Sequence, residues 1–188
     1  MQLMRAVVSI SGASGVIYGI RLLEELKAEK VERFLTVSCH AKEIIARETD
    51  YKLGYIKNLA TRYWENDELN APIASGSSKF DSMVVVPCSL STLSKIACGI
   101  ADNLTTRAAS ICLKERRKLI LVPRETPLST ISLENMLELS RSGCVILPAM
   151  PAFYSKPKSI KDFVDFVVGR ILDQLGIENR LYERWKEG

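Results

Sequence analysis

The sequence predicts a single α/β domain in which a doubly wound parallel sheet is covered by helices on both faces. Short, nearly continuous apolar runs recur along the chain, and each is followed by a turn and then by apolar residues at helical spacing. This alternation is typical of a parallel sheet whose strands are buried on both faces. The length of 188 residues suits one domain and is short for two.

The predicted elements follow one another in order. A strand over 6–10 leads through a glycine-containing turn to a helix over about 16–28. Later strands are predicted over 34–37, 83–86, 119–122 and 145–147, the first three followed by helical periods and the last by a loop. A final helix spans about 159–175.

The segment 53–82 interrupts this order. It contains Trp64, Pro72 and a stretch of small residues over 74–78. We therefore expect an irregular insert within the single domain, of the kind that often forms a lid or a subunit contact.

Composition excludes several functional classes. The chain has 26 basic and 22 acidic residues and a net charge of +4, with no basic block long enough for nucleic acid to be the main partner. No segment approaches the roughly 18 apolar residues of a membrane span. Its five cysteines are odd in number and lack C-x-x-C spacing, which indicates reduced thiols and a cytoplasmic location. The one histidine, His40, excludes a multi-histidine metal site, so no metal is expected.

Two turns between a strand and a helix point to a bound ligand, because ligands of such sheets lie beyond the carboxyl ends of the strands. The first, over 11–15, contains Gly12, Ala13 and Ser14. Glycine lets backbone N–H groups approach an anion at the helix N-terminus, although a tight turn capped by Ser14 would explain the same residues. It is neither G-x-G-x-x-G nor a P-loop.

The second turn, over 87–92, carries Ser89, Ser91 and Thr92 around Leu90. Its hydroxyls can cap the helix or bind a phosphate. Ser38 ends another predicted strand. Hydroxyl-rich turns without a carboxylate cluster that would bind magnesium suggest a mononucleotide held by hydrogen bonds, such as FMN.

Cations and carboxylates supply the remaining candidates. Lys114, Arg124 and Arg170 could together bind a phosphate, since guanidinium groups match phosphate oxygens. Glu48 and Glu125 are candidate acid–base groups, with a solvated surface position as the alternative for each. Adjacent residues on a helix point apart, so Cys39 and His40 do not suit a nucleophilic pair.

Several ordered strings carry a resemblance to a known family. They are Ser11-Gly12-Ala13-Ser14-Gly15, Glu48-Thr49-Asp50, Ala74-Ser75-Gly76-Ser77, Pro87-Cys88-Ser89, Arg107-Ala108-Ala109, Leu113-Lys114-Glu115-Arg116-Arg117, the run 122–128, Leu133-Glu134-Asn135-Met136 and Pro151-Ala152-Phe153-Tyr154. Over essentially its whole length the chain resembles the UbiX/Pad family of flavin prenyltransferases.

The resemblance implies a flavodoxin-like fold and a metal-independent reaction. Family members attach a dimethylallyl group from dimethylallyl monophosphate to N5 of reduced FMN and close a fourth ring at C6. The prenylated FMN serves a UbiD-type decarboxylase, whose substrate, a quinone precursor as in ubiquinone biosynthesis or another acid, the sequence leaves open. Members assemble as dodecamers with active sites between subunits.

Matching motifs imply a role for each site residue. The implied flavin contacts are Gly12, Ala13, Ser14, Ser38, Ser89, Leu90, Ser91, Thr92, Arg107 and Arg124. The implied phosphate-binding set for the prenyl donor is Lys114, Arg124, Tyr154 and Arg170. Ser14, Glu48 and Glu125 resemble the catalytic groups. In one departure, Cys39 and His40 follow Ser38 where the family often has lysine.

Three rival functions remain in view. A flavin-dependent cysteine decarboxylase would need a histidine in the first helix and a Pro-Ala-Ser-Ala-Asn-Thr string, and this chain has neither. A response-regulator-like switch would need acidic residues after the first strand, where Ser11 and Ser14 stand. The main alternative is an FMN-binding accessory subunit of an aromatic acid decarboxylase, which would need no prenyl-donor site.

Overall fold

A six-stranded, all-parallel sheet forms the centre of the molecule in a computed structural model that describes residues 3–185. The strands are β1 (Arg5–Ile10), β2 (Glu32–Val37), β3 (Arg62–Glu65), β4 (Ser82–Cys88), β5 (Lys118–Pro123) and β6 (Val145–Ile146). The helices are α1 (Val16–Ala28), α2 (Cys39–Glu48), α3 (Leu53–Leu59), α4 (Leu90–Ala97), α5 (Leu104–Lys114), α6 (Thr130–Arg141) and α7 (Ile160–Leu175).

The strand order across the sheet is β3-β2-β1-β4-β5-β6. The predicted doubly wound α/β fold is therefore confirmed, and without the edge strand β3 the remaining order is that of flavodoxin-like sheets. The chain reverses its direction of winding between β1 and β4, which are paired neighbours. Ligands of open α/β sheets bind beyond the strand ends at this reversal point.

Two separate cores cover the two faces of the sheet. Val8 and Ile10 of β1 face one core, built with α1, α2, α3 and α7. Val7 of the same strand faces the other core, built with α4, α5 and α6. Because successive side chains of a strand point to opposite faces, one continuously apolar strand supplies both cores.

The segment 53–82 differs from the irregular insert that the sequence predicts. It contains α3, the edge strand β3 and a short 3-10 turn at Pro72–Ala74. Strand β3 pairs in parallel with β2, and Thr36 lies opposite Trp64 in that register. The strand was not predicted because none of its four residues, Arg62–Glu65, is buried and a charged residue stands at each end.

Three of the five cysteines lie inside the molecule. Cys88, Cys112 and Cys144 are buried free thiols in the core beneath α4, α5 and α6, whereas Cys39 and Cys98 are exposed. Burial raises the pKa of Cys112 to about 12 and that of Cys144 to about 11. Burial also raises the pKa of Cys88.

Candidate active site

Three helix N-termini converge beyond the ends of β1, β2 and β4. Ser38 caps α2 by accepting a hydrogen bond from the Ala41 N–H at 3.2 Å. Ser89 caps α4 in the same way through the N–H of Thr92 at 3.2 Å, and Asn103 caps α5. Each helix contributes partial positive charge at this end, so the place where they meet attracts an anion.

These N-termini surround a cavity of about 440 Å³. It is lined by Ser11, Gly12, Ser38, Cys39, His40, Asn66, Ser89, Ser91, Thr92, Lys95, Asn103 and Thr105. Five of the predicted flavin contacts are among these residues, namely Gly12, Ser38, Ser89, Ser91 and Thr92. Leu90 is not, because it begins α4 and packs against the core instead.

The first and second turns are joined by Ser11. Its hydroxyl donates to the Pro87 carbonyl at 2.8 Å and accepts from the Ser89 N–H at 2.8 Å. Next to it, a side chain on Gly12 would place its Cβ only 2.8 Å from the Cβ of His40. Glycine is therefore required for α2 to approach the turn this closely.

Asn66 is a lining residue that the sequence did not reveal. It follows β3, and its Oδ1 accepts from the N–H of Thr105 at 3.1 Å and from the Thr105 hydroxyl at 2.6 Å. The buried Ser9 hydroxyl lies 2.7 Å from the same Thr105 oxygen. This chain of polar groups fixes the floor of the cavity, and only a correct prediction of β3 would have indicated it.

The first turn brings Glu48 to the start of α1. Its Oε2 accepts from the Gly15 N–H at 2.8 Å. Gly15, with φ of 93°, is the N-cap of α1, and no side chain caps this helix. The alternative that Ser14 serves as a cap is therefore wrong, since Ser14 lies one residue before the cap and beside the Glu48 contact.

Arg124 and Glu125 line a second cavity of about 260 Å³ at the end of β5. The Nε of Arg124 is buried and has no hydrogen-bond partner among the described residues. The Cγ of Arg124 would lie 3.9 Å from a Cβ on Gly15, so Arg124 lies beside the first turn. A buried guanidinium N–H without a partner is costly unless a ligand accepts from it.

Arg170 lies on α7, and Tyr154, from the loop before the helix, packs against the same helix. The Tyr154 ring packs edge-on against Phe166 at 6.1 Å and against Trp185 at 5.2 Å between ring centroids. Arg170 Nη1 lies 3.2 Å from the Tyr182 hydroxyl and 3.3 Å from Asp173 Oδ2. The hydrogen bond to Tyr182 is the main reason why the pKa of Arg170 is raised, with smaller contributions from charges that include Tyr154.

Asp173 holds this arrangement together. Arg184 Nη2 donates to its Oδ1 at 2.7 Å, the Asn179 amide donates to the same oxygen at 3.0 Å, and Tyr182 donates to Oδ2. Burial alone would raise the pKa of Asp173, but the hydrogen bonds from Arg184 and Tyr182 outweigh it and lower that pKa. The segment after α7 is thereby tied to the helix.

Lys114 lies far from Arg124 within one chain. It ends α5 just before β5 begins, and Arg124 follows the other end of that six-residue strand, about 20 Å away. Its Nζ pairs with Glu115 at 3.3 Å. The two cations therefore lie beyond opposite ends of β5.

Arg107 is also absent from the lining of the cavity of about 440 Å³. Its Nε donates to the Ala74 carbonyl at 3.2 Å, and the residue is exposed on α5. Within the same chain, Gly76 of the small-residue stretch admits the Lys114 and Glu115 side chains, because a Cβ there would lie 2.9 Å from Lys114 Nζ and 2.7 Å from Glu115 Oε1. The structure thus brings together the first turn, Ser38, the second turn and Glu48, with Arg124 nearby.

Residues 3–185 contain neither a cluster of metal-ligating side chains nor a helix that could cross a membrane. No group of three or more histidine, cysteine, aspartate or glutamate side chains is placed to hold a metal ion in that range. None of the helices within it is both long enough and apolar enough to cross a membrane.

The donor set suits a phosphate-bearing flavin. Hydroxyls, backbone N–H groups at helix ends and one lysine line the larger cavity, and these groups recognise phosphate. The unpartnered Arg124 Nε beside the first turn can donate to a carbonyl or phosphate oxygen.

Comparison with protein families gives an independent result. A family model described as "Flavoprotein" matches residues 1–172. A protein named flavin prenyltransferase UbiX from Thermoplasma acidophilum is 56% identical over 182 residues, which cover 97% of this chain and all of that protein. A UbiX flavin prenyltransferase from Methanocaldococcus jannaschii is also 56% identical, over 97% of this chain and 98% of its own length.

Solved structures agree with the sequence relatives. A crystal structure of a UbiX protein in complex with FMN and dimethylallyl pyrophosphate superposes with a TM-score of 0.97 at 45% identity and covers all of both chains. A dodecameric FMN-dependent UbiX-like decarboxylase from Escherichia coli O157:H7 gives a TM-score of 0.95 at 47% identity, over 97% of this chain and 100% of that one.

Proposed function

The chain belongs to the UbiX/Pad family of flavin prenyltransferases, and from this membership we propose that it transfers a dimethylallyl group from dimethylallyl monophosphate to reduced FMN. The prenyl group bonds to N5 of the flavin as its bond to the phosphate breaks. A proton then adds to the remaining alkene of the prenyl group, the adjoining carbon bonds to C6 to close a fourth ring, and C6 loses its own proton. The product is prenylated FMN and inorganic phosphate.

One observation carries this proposal. The cavity at the reversal point of the sheet is lined with hydroxyls and helix N-termini. Glu48 contacts the adjoining first turn, Arg124 lies beside it, and Glu125 lines the second cavity with Arg124. Gly12, Ser38, Ser89, Ser91 and Thr92 would bind FMN, with Ala13 and Leu90 contributing backbone beside them. Arg124 would bind the flavin or the donor phosphate through its unpartnered Nε.

The departing phosphate requires electrostatic stabilisation, because a monophosphate is a poor leaving group. Tyr154 and Arg170 would bind it, with Arg124 completing the phosphate contacts. Glu125, next to Arg124 in the second cavity, would pass a proton to the phosphate oxygen. Glu48 and Ser14, or the phosphate itself, would accept the proton lost from C6.

Assembly is part of the same proposal. Within one chain, Lys114 and Arg124 lie beyond opposite ends of β5. Lys114 would therefore reach a prenyl-phosphate site only in a neighbouring subunit. Exposed Arg107 would likewise act at a neighbour's flavin. We propose a homo-oligomer, a dodecamer like the Escherichia coli relative. The free state of all five cysteines supports a cytoplasmic location.

The decisive experiment is anaerobic incubation of the protein with reduced FMN and dimethylallyl monophosphate, followed by mass spectrometry of the flavin. The expected result is a flavin whose mass has risen by one prenyl group. Unchanged flavin with this donor and with dimethylallyl diphosphate would refute the transferase activity. Tight FMN binding without any mass change would instead favour the accessory-subunit alternative.

Two additions extend the experiment. A chelator such as EDTA should leave the rate unchanged, because the phosphate contacts proposed here are supplied by lysine, arginine and tyrosine. Strong inhibition would contradict that assignment. Adding the reaction mixture to a UbiD-type decarboxylase that lacks its cofactor should restore decarboxylation, which tests the proposed recipient of the product.

A further inference from the structure

The larger cavity has a one-sided charge distribution. None of its lining side chains is a carboxylate, and Lys95 is the one lysine or arginine among them. Three helix N-termini add partial positive charge at the same place. An anionic group placed here would therefore face the partial positive charge of three helix ends together with the ammonium group of Lys95.

Helix α4 directs Lys95 to the same side as its hydroxyls. Ser91 and Thr92 precede Lys95 by four and three residues, which is the spacing of neighbours on one helix face. All three residues line the cavity. One face of α4 thus presents two hydroxyls and an ammonium group to the cavity, and the N-cap Ser89 lies at the N-terminal end of the same helix.

Lys95 is held at present by a weak and replaceable partner. Its Nζ lies 2.6 Å from Asp102 Oδ2, and the two side chains are 36% and 49% exposed. An ion pair this exposed contributes little to stability. Asp102 lines the neighbouring cavity, and its Oδ1 accepts separately from the Asn103 amide at 2.8 Å. Asp102 would therefore stay in place if Lys95 moved away.

We propose that Lys95 is the cation that binds the phosphate of FMN, and that Asp102 holds its ammonium group at the cavity until the phosphate displaces the carboxylate. This inference rests on the proposed function and extends it, since it orients the bound flavin. The phosphate lies against α4 between the three N-termini. The ring then extends toward the first turn, Glu48 and Arg124.

The test compares FMN with riboflavin, which has the same ring and no phosphate. Both flavins are titrated into the protein, and binding is followed by flavin fluorescence. Lys95→Gln should weaken FMN binding about tenfold or more and leave riboflavin binding unchanged, because one charged contact to a phosphate is lost. Lys95→Arg should retain most of the preference for FMN. Asp102→Asn should tighten FMN binding, because the competing carboxylate is gone.

Lys118→Gln is the matched control. Lys118 begins β5 at the opposite edge of the sheet and donates to the Gln174 carbonyl, so its loss should not alter either affinity. Equal losses of FMN and riboflavin binding in Lys95→Gln, or an unchanged ratio of the two affinities, would overturn the inference. If the wild-type protein binds neither flavin, the proposed function fails as well. If it prenylates FMN and the ratio is unchanged, the inference alone fails.

Discussion

Gly169 on α7 determines whether the segment after the helix can lie against it. A Cβ at this position would fall 2.5 Å from Cδ1 of Tyr182 and 2.9 Å from Oδ1 of Asn179. Both distances are shorter than a Cβ contact allows. We therefore expect Gly169→Ala to push Tyr182 away from the helix and from the Arg170 guanidinium, which now lies 3.2 Å from its hydroxyl.

The expected change in stability is the difference between two opposing effects. Replacing glycine by alanine inside a helix favours folding by about 1 kcal/mol. Overpacking a tight site costs about 1–3 kcal/mol, and detaching Tyr182 would also lose its ring contact with Phe166, worth about 0.5–1.5 kcal/mol. The variant should therefore be less stable by about 0.5–3.5 kcal/mol, and Tm should fall by roughly 2–4 °C for each kcal/mol lost.

Gly54→Ala is the matched control. Gly54 lies in α3, and a Cβ there would meet no atom within 4 Å. The same chemical change should raise Tm slightly, because only the helix preference of alanine acts. Opposite signs for the two variants would establish contact with Tyr182 as the cause. A stabilised Gly169→Ala protein would refute the reasoning.

The activity assay distinguishes a local effect from general damage. The KM for dimethylallyl monophosphate should rise several-fold in Gly169→Ala, because Arg170 and Tyr154 lose the support of the displaced segment. The Kd for FMN should not change, since the flavin cavity lies beyond the strand ends among other elements. An equal loss of FMN affinity would show that the damage extends to the flavin cavity.

Three further expectations concern proton transfer, assembly and acid stability. Glu125→Gln should retain FMN affinity and lose turnover, and a parallel loss of FMN binding would make Glu125 structural. Mixed oligomers reassembled from an inactive Ser14 variant and an inactive Arg170 variant should regain part of the activity, whereas a fully active monomer in sedimentation would exclude a shared site. Hydrogen bonds from Lys42 and Tyr63 lower the pKa of Glu65 to about 2. A lowered folded-state pKa stabilises the protein above the ordinary pKa of glutamate, and this contribution is lost as pH falls toward 2. Urea unfolding should show a smaller acid-induced loss of stability in Glu65→Gln, and an unchanged pH profile would contradict the assignment.

The sequence predicted the parts of the fold that depend on local pattern. The helix expected over 16–28 is observed at Val16–Ala28, because its apolar spacing and glycine turn are both local signals. Strand β3 was missed because the prediction relied on continuous apolar runs. An edge strand such as Arg62–Glu65 pairs with one neighbour only and can form without such a run. Asn66 was missed with it, although it lines the cavity.

The candidate site was predictable where one strand end supplies one group. Gly12, Ser38 and Ser89 lie where the strand rule expects them, because all parallel strands end at the same edge. Lys114 and Arg170 follow no such rule, since each lies within or at the end of a helix. The role of Glu48 at the Gly15 N–H joins residues far apart in the chain, so spacing could not reveal it.

The burial of Cys88, Cys112 and Cys144 protects these thiols from alkylation by the enzyme's own substrate. In the proposed reaction, the dimethylallyl group becomes a strong alkylating agent as phosphate leaves, and thiolates react with such groups more readily than thiols do. With the pKa of Cys112 near 12 and that of Cys144 near 11, these side chains stay protonated at neutral pH. The same packing that fills the core also removes three nucleophiles from competition with the flavin.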